Sequence, residues 1–277
     1  MTSDTILLAG VIGQPIVQSK SPVLHGHWLQ RYGIKGHYIP MDVSSANLPH
    51  VLNNLPKMGF RGVNITLPHK ESVLDLADVI SDRAALIGAA NTLTFQSDGK
   101  LHADNTDGLG FIANLKQEAP GWDPKAGPAL VLGAGGAARA IVAALLHEKV
   151  PEIILTNRTR ARADALKAHF GGKIKVVDWT QAASHLDEAT TLVNTTALGM
   201  TGKEELKFKL DELTPKTLVT DIVYSPLITP LLAQAKERGC YTVDGLGMLL
   251  HQAVPGFERW FGRAPQVDAE LRRAVLA

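Results

Sequence analysis

The sequence predicts an α/β protein built from two domains. Short runs rich in β-branched residues alternate with longer amphipathic segments almost from end to end, which is typical of parallel sheets made of strand-helix-strand units. The chain has 277 residues, 45% apolar and 20% charged, which fits one large or two ordinary globular domains. This composition excludes a disordered or collagen-like chain.

The first part of the chain shows the alternation clearly. The predicted elements are strand 7–13, helix 21–33, strand 37–43, helix 47–59 and strand 62–67. Each of these helical segments ends in glycine, which is a common helix stop. Segment 91–106 differs, because two alternating runs flank Ser-Asp-Gly, and we expect a hairpin and an antiparallel edge there.

A second series of elements starts at residue 129. Its strand-like runs are ALVLG, EIILTN, IKVVD, TLVNTT, TLVTDIV and YTVDG, and its helix-like runs are AARAIVAALLHE, RARADALKAHFG and PLITPLLAQAKERG. The tail from Gly247 onward is helical without a further strand, so we expect it to pack onto the first series of elements.

These two series define the predicted domains. Linkers are expected near Asp107 and Gly245, so that residues 1–106, completed by 246–277, form one domain and residues 107–245 the other. A ligand cleft is expected between the two domains.

Charge and cysteine content narrow the class of protein. The 28 Lys and Arg residues oppose 27 Asp and Glu residues, and the net charge of +1 argues against a nucleic-acid partner. The single cysteine, Cys240, cannot form an internal disulfide, which fits a reducing cytoplasm. We expect neither export nor a membrane partner, because no basic segment precedes the first apolar run and no stretch of about 18 apolar residues occurs. The ten histidines show no metal-binding spacing, so no metal is assigned.

A glycine-rich turn in VLGAGGAARA predicts a nucleotide site. Gly133, Gly135 and Ala138 follow a predicted strand and open a predicted helix. Glycine allows the tight turn and the close approach of a pyrophosphate, whose charge then lies at the helix N-terminus. The alternative is a glycine turn that serves packing alone.

The end of the next predicted strand favours NADP over NAD. Asn157 stands where a carboxylate would bind the ribose of NAD, and it is followed by Arg158, Thr159 and Arg162. Two guanidinium groups and a hydroxyl suit a 2′-phosphate. The alternative is a basic first turn of an exposed helix, although cations there oppose the helix dipole.

The strand GVNITL carries two polar residues on one face. Asn64 and Thr66 alternate with apolar residues, and they lie at the carboxyl end of the strand, where open α/β sheets bind ligands. The alternative is a polar edge that faces solvent.

Lys70 follows Pro68 and precedes the helix-like ESVLDLAD, a position that disfavours a cation and suits a group that exchanges a proton. The alternative is an ordinary solvated lysine.

Two serines and an aspartate have both a local and a functional interpretation. Ser19 and Ser21 are two residues apart before Pro22, so both hydroxyls can face one carboxylate ligand, although Ser21 also suits the N-cap of the next helix. Asp107 precedes the helix-like GLGFIANLKQE and is a candidate N-cap as well, with Asp104 as a second candidate.

Nine motifs, in this order, resemble the shikimate dehydrogenase family. They are IGQPIVQSKSPVLH, GVNITLPHK, GAANTL, DNTDG, GAGGAARA, NRTRAR, NTTALGM, YSP and GLGMLLHQA, and the resemblance covers nearly the whole chain. It implies an N-terminal α/β substrate domain completed by C-terminal helices and a Rossmann-type NADP-binding domain. It also implies an oxidoreductase that reversibly reduces 3-dehydroshikimate to shikimate with NADPH, in the biosynthesis of chorismate and the aromatic amino acids.

The resemblance also implies a role for individual residues. Lys70 and Asp107 match the catalytic pair of the family, with Lys70 as the preferred proton donor. The residues that would bind the substrate are Ser19 and Ser21 at its carboxylate, Tyr224 nearby, and Asn64, Thr66, Asn91 and Gln252 at its ring hydroxyls. The residues that match the NADP site are Gly133, Ala134, Gly135, Gly136, Ala137, Asn157, Arg158, Thr159 and Arg162, with Gly245 and Met248 near the nicotinamide.

The sequence departs from the family pattern at two positions and leaves alternatives open. Gln18 stands where histidine is often found, and Ala197 where serine or proline is commoner. One alternative is a quinate/shikimate or aminoshikimate dehydrogenase with a broader substrate or NAD use. Another is a nucleotide-sensing regulator that has lost the activity. The sequence does not decide whether the chain forms a homodimer.

Overall fold

A computed structural model describes residues 6–277 of the chain. The chain divides into a first compact unit, Met1–Asp107 with Leu249–Ala277, and a second unit, Gly108–Met248. Residues 1–5, which begin the N-terminal segment considered above for export, lie outside the described residues. Within residues 6–277, no helix is long and apolar enough to cross a membrane.

Twelve strands and nine α-helices are found in the described residues. The strands are β1 (Leu7–Gly13), β2 (Gly36–Asp42), β3 (Phe60–Ile65), β4 (Val79–Ile80), β5 (Thr92–Phe95), β6 (Leu101–Asp104), β7 (Ala129–Leu132), β8 (Ile153–Thr156), β9 (Ile174–Val176), β10 (Thr191–Asn194), β11 (Leu218–Asp221) and β12 (Tyr241–Val243). The helices are α1 (Ser21–Arg31), α2 (Leu48–Asn54), α3 (Asp82–Ile87), α4 (Asp107–Glu118), α5 (Gly136–His147), α6 (Arg160–Phe170), α7 (Pro230–Glu237), α8 (Leu246–Phe261) and α9 (Ala269–Leu276).

The first unit contains a mixed sheet with the order β2-β1-β3-β5-β6-β4. Strands β2, β1 and β3 are parallel, β5 runs antiparallel to both β3 and β6, and β4 is parallel to β6. The hairpin predicted in segment 91–106 is therefore confirmed. The expectation that it forms the edge of the sheet is wrong, because the two-residue strand β4 pairs outside it. A run of two residues is too short to produce a periodic sequence signal.

Apolar residues cover both faces of this sheet. One face packs a core that includes Ile12, Val63, Ile65 and Leu93. Aromatic side chains of α1 and α8 gather in a second cluster, in which Trp28 and Phe257 meet edge to face with ring centroids 5.1 Å apart. The tail packs onto the first series of elements, as predicted.

The docking of the C-terminal tail involves polar contacts as well. Asp268 caps α9 by accepting the Leu271 N–H at 3.0 Å, and its other carboxylate oxygen lies 2.7 Å from the Arg31 guanidinium on α1. The Trp28 indole N–H donates to the Gln266 carbonyl at 2.9 Å. Residues distant in sequence thus complete the first unit.

The second unit contains a parallel sheet with the order β12-β11-β10-β7-β8-β9. Its central strands are apolar and buried, as a parallel sheet covered on both faces requires. One core cluster includes Leu115 of α4, Ile141 of α5 and Leu166 of α6. The other includes Leu186 and Leu232. The predicted alternation of strands and helices is confirmed here.

Two helical predictions in the first unit need correction. The helix predicted over 47–59 ends at Asn54 and is followed by a 3₁₀ helix at Pro56–Met58. Pro56 has no N–H to continue the helical ladder. The helix predicted for ESVLDLAD is only a 3₁₀ helix, Ser72–Leu76, because the chain leaves it at once to pair with β6.

Candidate active site

An ion pair between Lys70 and Asp107 lies in the first unit. The Lys70 Nζ is 2.6 Å from the Asp107 Oδ2, and the two side chains are 19% and 9% exposed. Two charges with so little access to water stabilise each other only when their geometry is good and their remaining polar groups are hydrogen-bonded. The surroundings of this pair therefore decide what it can do.

The backbone segment at residues 89–90 anchors both partners. The Ala90 N–H donates to the Lys70 carbonyl at 2.8 Å. The Asn105 side chain donates to the Ala89 carbonyl at 2.9 Å and accepts the Asp107 N–H at 3.1 Å. Two residues that are 37 positions apart are thus held against the same segment.

Asn91 connects the ion pair to the C-terminal tail. Its Nδ2 donates to the Asp107 Oδ1 at 2.8 Å and to the Gln252 Oε1 at 3.0 Å. Its Oδ1 accepts the Thr106 N–H at 2.8 Å. The structure therefore brings four of the predicted site residues, Lys70, Asp107, Asn91 and Gln252, into one hydrogen-bonded group.

Asn64 belongs to an adjoining part of this network. Its Nδ2 donates to the Asn91 carbonyl at 3.0 Å and to the Thr92 Oγ1 at 3.2 Å, and its Oδ1 accepts the Tyr38 hydroxyl at 2.7 Å. Asn64 is buried, so the alternative of a polar edge facing solvent is wrong. Thr66 follows β3 directly and is half-buried.

The two serines lie together before and at the start of α1. The Ser19 Oγ accepts the Ser21 N–H at 3.3 Å, and Ser21 is already the first residue of the helix. Lys20 occupies the N-cap position without a side-chain capping bond. The alternative in which Ser21 serves as the N-cap is therefore wrong.

The local helical interpretations of Asp107 and Lys70 also change. Asp107 starts α4, but its carboxylate oxygens accept from Lys70 and Asn91. The Asp107 carboxylate thus belongs to the site. Lys70 does not precede a regular α-helix, since only the 3₁₀ helix follows it, so the helix dipole invoked from the sequence is largely absent.

Asp104, the second candidate near α4, belongs to the structural framework, the residues that join secondary-structure elements and bind no ligand. Its buried carboxylate accepts from the Ser81 hydroxyl at 2.7 Å and from the Arg83 and Arg259 guanidinium groups, each at 2.6 Å. Burial acts to raise the pKa of Asp104, but the hydrogen bonds from Arg83, Ser81 and Arg259 outweigh burial and hold the pKa well below its usual range. This carboxylate joins β6, α3 and α8 and is not available to a ligand.

The glycine-rich turn of the second unit lies between β7 and α5. Gly133 has a positive φ of 108°, a conformation that favours glycine. Gly135 is the N-cap of α5, and it has no side chain that could cap the N–H groups of the helix. Among the described residues of this unit, no heavy atom lies within 4 Å of where a Cβ would stand on Gly135 or Gly136. An anion can therefore approach the free N–H groups of the helix. Ala137 lies in the first turn of the same helix.

Asn157 supports the turn from the neighbouring strand. It follows β8, accepts the Ala134 N–H at 3.1 Å with its Oδ1, and donates to the Thr159 carbonyl at 2.9 Å. A neutral amide thus shapes the glycine turn at the position where an NAD site would place a carboxylate. Thr159 is the N-cap of α6.

The arginines around the start of α6 divide into two kinds. Arg160 lies 2.6 Å from Asp178 and 3.6 Å from Asp164. Arg158 and Arg162 are exposed, and neither forms an ion pair with any described residue of the unit. These two free guanidinium groups, together with the glycine turn, fit a dinucleotide that carries a 2′-phosphate.

The remaining predicted ligands also lie in the second unit. Burial raises the pKa of Tyr224. Gly245 lies so close to the backbone of Ile222 and Val223 that a side chain there would clash. Met248 is largely buried in the core of the unit. Ala197 follows the loop organised by Asn194, whose Oδ1 accepts the Thr196 hydroxyl at 2.8 Å.

The sequence interpretation missed several residues that support these sites. Asp221 is buried and accepts from Asn194 at 3.0 Å, from the Val223 N–H at 3.0 Å and from the Thr229 hydroxyl at 2.8 Å. It thereby connects the loops that carry Ala197 and Tyr224. The sequence signal for a role of Asp221 near the site is its position at the end of an apolar strand, in TDIVYSP. Tyr38 and Asn105 gave no local signal, because their partners are distant in sequence.

Comparisons with known proteins assign the chain to a family. Three protein-family models match the chain. The family model described as Shikimate dehydrogenase substrate binding domain matches residues 11–93, the one described as Shikimate / quinate 5-dehydrogenase matches residues 116–249, and the one described as Shikimate 5′-dehydrogenase C-terminal domain matches residues 245–274. The protein named Shikimate dehydrogenase (NADP(+)) from Cereibacter sphaeroides is 65% identical over 272 residues, which cover 98% of each chain. The chain belongs to the shikimate dehydrogenase family.

Solved structures agree with this membership in the shikimate dehydrogenase family. The Thermus thermophilus shikimate 5-dehydrogenase in complex with NADP(H) and shikimate has a TM-score of 0.88 and 37% identity, covering 98% of this chain and 99% of its own. The quinate dehydrogenase of Corynebacterium glutamicum in complex with NAD has a TM-score of 0.91 and 32% identity, covering 98% and 99%. The predicted fold class is confirmed: an N-terminal α/β substrate domain completed by C-terminal helices, and a Rossmann-type NADP-binding domain.

We predict that Asp104→Asn lowers the midpoint of urea unfolding at pH 7, with a loss of about 2 kcal/mol, because an amide binds two guanidinium groups less strongly than a carboxylate. The pKa of this group is depressed in the folded protein, so its stabilisation is present above the unfolded pKa of about 4 and is lost as the pH falls through the folded value. The difference between wild type and variant should therefore be equal at pH 7 and pH 5.5 and smaller at pH 3.5.

Asp98→Asn is the control, since Asp98 lies on the exposed turn of the β5-β6 hairpin. An Asp104→Asn protein as stable as wild type at pH 7, or a difference that does not shrink on acidification, would contradict the assignment of Asp104 to the framework.

Proposed function

We propose that the protein is an NADP-dependent shikimate dehydrogenase, an oxidoreductase that interconverts 3-dehydroshikimate and shikimate in chorismate biosynthesis. The observation that carries the proposal is the Lys70–Asp107 ion pair, hydrogen-bonded to Asn91 and through it to Gln252. Relatives at 65% identity with the name Shikimate dehydrogenase (NADP(+)) support the choice of substrate and cofactor. The near-neutral charge and single cysteine support a cytoplasmic enzyme without a nucleic-acid partner.

In this proposal, two parts of the chain bind the substrate and the cofactor. Residues 1–106 with 246–277 form the substrate domain, and residues 107–245 form the NADP domain. The proposed substrate ligands are Ser19, Ser21, Asn64, Thr66, Asn91, Tyr224 and Gln252. The proposed NADP ligands are Gly133, Ala134, Gly135, Gly136, Ala137, Asn157, Arg158, Thr159, Arg162, Gly245 and Met248.

Lys70 is the proposed proton donor. When bound, NADPH supplies the hydride, and NADP⁺ accepts it in the reverse direction. The oxygen of the substrate carbonyl gains negative charge during reduction, and a proton donor at that oxygen lowers the barrier. An ammonium has three N–H donors, and Asp107 occupies one of them at 2.6 Å, so Lys70 retains donors for the substrate oxygen.

Asp107 orients this donor. Its two carboxylate oxygens accept from Lys70 and from Asn91, so the carboxylate cannot rotate freely, and the lysine is aimed accordingly. Remaining lone pairs on the carboxylate can accept a substrate hydroxyl. In the oxidative direction, the hydroxyl at the reacting carbon gives its proton to the neutral amine of Lys70, which becomes an ammonium again.

The second unit supports NADP as the cofactor. Arg158 and Arg162 are free to bind a 2′-phosphate, whereas Arg160 is engaged by Asp178. Asn157 presents no charge that would repel this phosphate. The second candidate function is an NAD-dependent quinate dehydrogenase, which the likeness to the Corynebacterium glutamicum enzyme favours. The two free arginines argue for the first candidate.

We expect Lys70→Ala to lower kcat with shikimate by about 100- to 10,000-fold, because the group that takes up the proton of the reacting hydroxyl is removed. The KM for shikimate should change by less than about tenfold, since only one of several polar contacts is lost. Steady-state kinetics measure both constants, and NADP⁺ binding followed by fluorescence checks that the variant is folded. Lys100→Ala, at the exposed hairpin turn, is the matched control. A kcat within threefold of wild type would remove Lys70 from the chemistry.

The cofactor assignment predicts a different pattern for the arginines. Replacing both Arg158 and Arg162 by Ala should raise the KM for NADP⁺ by about 10- to 100-fold, because two charge-assisted hydrogen bonds to the 2′-phosphate are lost. The KM for NAD⁺, which has no such phosphate, should change by less than about twofold. Arg160→Ala is the control and should affect neither constant. Equal effects on NADP⁺ and NAD⁺ would contradict this assignment.

A further inference from the structure

Tyr38 is the buried residue of β2 whose phenol reaches the proposed substrate ligands. Tyr38 pairs in register with Ala9 of β1, and Asn64 of β3 pairs with Val11, so all four side chains project from the same face of the sheet. The small Ala9 side chain lets the phenol reach past the intervening strand. The Tyr38 hydroxyl then donates to the Asn64 Oδ1 at 2.7 Å.

A histidine holds the phenol ring in place. The His25 imidazole stacks on the Tyr38 ring with centroids 3.9 Å apart and planes within 2° of parallel. His25 lies four residues after Ser21 on α1, so the two share one face of that helix. Burial lowers the pKa of His25 to about 3. A neutral ring therefore backs the phenol at physiological pH.

The Tyr38 phenol keeps its proton, because burial raises its pKa well above the ordinary value. It therefore remains a hydrogen-bond donor to the Asn64 Oδ1.

The hydrogen bond from Tyr38 determines how the Asn64 side chain can still bind a substrate. Both N–H groups of its amide are engaged by the Asn91 carbonyl and the Thr92 hydroxyl. Only the Oδ1 is left to accept from a substrate hydroxyl, and the Tyr38 hydroxyl occupies one of its two lone-pair positions. The direction of the other lone pair is then set.

We propose that Tyr38 is a positioning residue for the substrate: its hydroxyl holds the Asn64 side chain so that the free lone pair of the Asn64 Oδ1 faces a ring hydroxyl of the substrate. The inference rests on the function proposed above, in which Asn64 binds a ring hydroxyl. Tyr38 acts through Asn64 without touching the substrate.

Tyr38→Phe tests the inference, because it removes only the hydroxyl and keeps the ring that stacks on His25. The KM for shikimate should rise about tenfold, as expected for one lost aligned hydrogen bond, with kcat and the KM for NADP⁺ within threefold of wild type. Tyr32→Phe is the matched control, since the Tyr32 hydroxyl also forms one hydrogen bond, accepting the Gln266 N–H at 2.9 Å, and is remote from the proposed ligands. Both variants should unfold at similar temperatures.

A double-mutant cycle separates positioning from a general structural effect. Asn64→Ala should itself raise the KM for shikimate at least tenfold, and adding Tyr38→Phe to it should raise the KM by no more than about twofold further. If the two effects multiply, or if Tyr38→Phe leaves the KM within twofold while Asn64→Ala raises it, the inference is overturned. If Asn64→Ala leaves the KM unchanged, the proposed substrate site is overturned instead.

Discussion

The first unit is organised around one nearly buried ion pair. Lys70 and Asp107 lose most of their hydration, so their pairing at 2.6 Å stabilises the fold only if every other polar group around them is satisfied. That requirement accounts for Asn91, which bonds Asp107 on one side and Gln252 on the other, and for Asn105, which holds the Asp107 backbone. Asp107 thus holds the Lys70 ammonium in place and leaves N–H groups for a substrate oxygen, as a proton donor requires.

A second carboxylate nearby shows how the same residue type takes a different function. Asp104 is three residues before Asp107, yet two guanidinium groups and a hydroxyl occupy its oxygens. It connects β6 to α3 and α8, whereas Asp107 keeps capacity for a ligand. In the second unit, Arg158 and Arg162 at the start of α6 form no ion pair with any described residue, although the net charge of the whole chain is only +1. Local environment, and not residue type or overall charge, distinguishes framework from site.

Sequence periodicity predicted most of the fold because strands such as β1 and helices such as α1 are long enough to show it. It failed for β4, which pairs with β6, and for the 3₁₀ helix Ser72–Leu76, because both are too short to show a period. The glycine turn could be placed from sequence, since Gly133 needs a positive φ and a helix must follow. The partners of Tyr38, Asp104 and Asp221 could not, because each contact joins residues from separate elements. The N-cap alternative for Ser21 is wrong, because Pro22 gives the same local pattern whether the cap is Ser21 or Lys20.

The central claim is that Lys70, Asp107 and the arginines of the second unit serve one reaction with one cofactor. Steady-state rates with shikimate and with quinate, each paired with NADP⁺ and with NAD⁺, test this claim most directly. The account predicts that shikimate with NADP⁺ gives the highest kcat/KM. The value with NADP⁺ should exceed that with NAD⁺ by at least about tenfold, since the charge-assisted bonds to the 2′-phosphate are made only with NADP⁺. A kcat/KM for quinate or for NAD⁺ equal to that value, or the absence of turnover in a protein that binds NADP⁺, would contradict it.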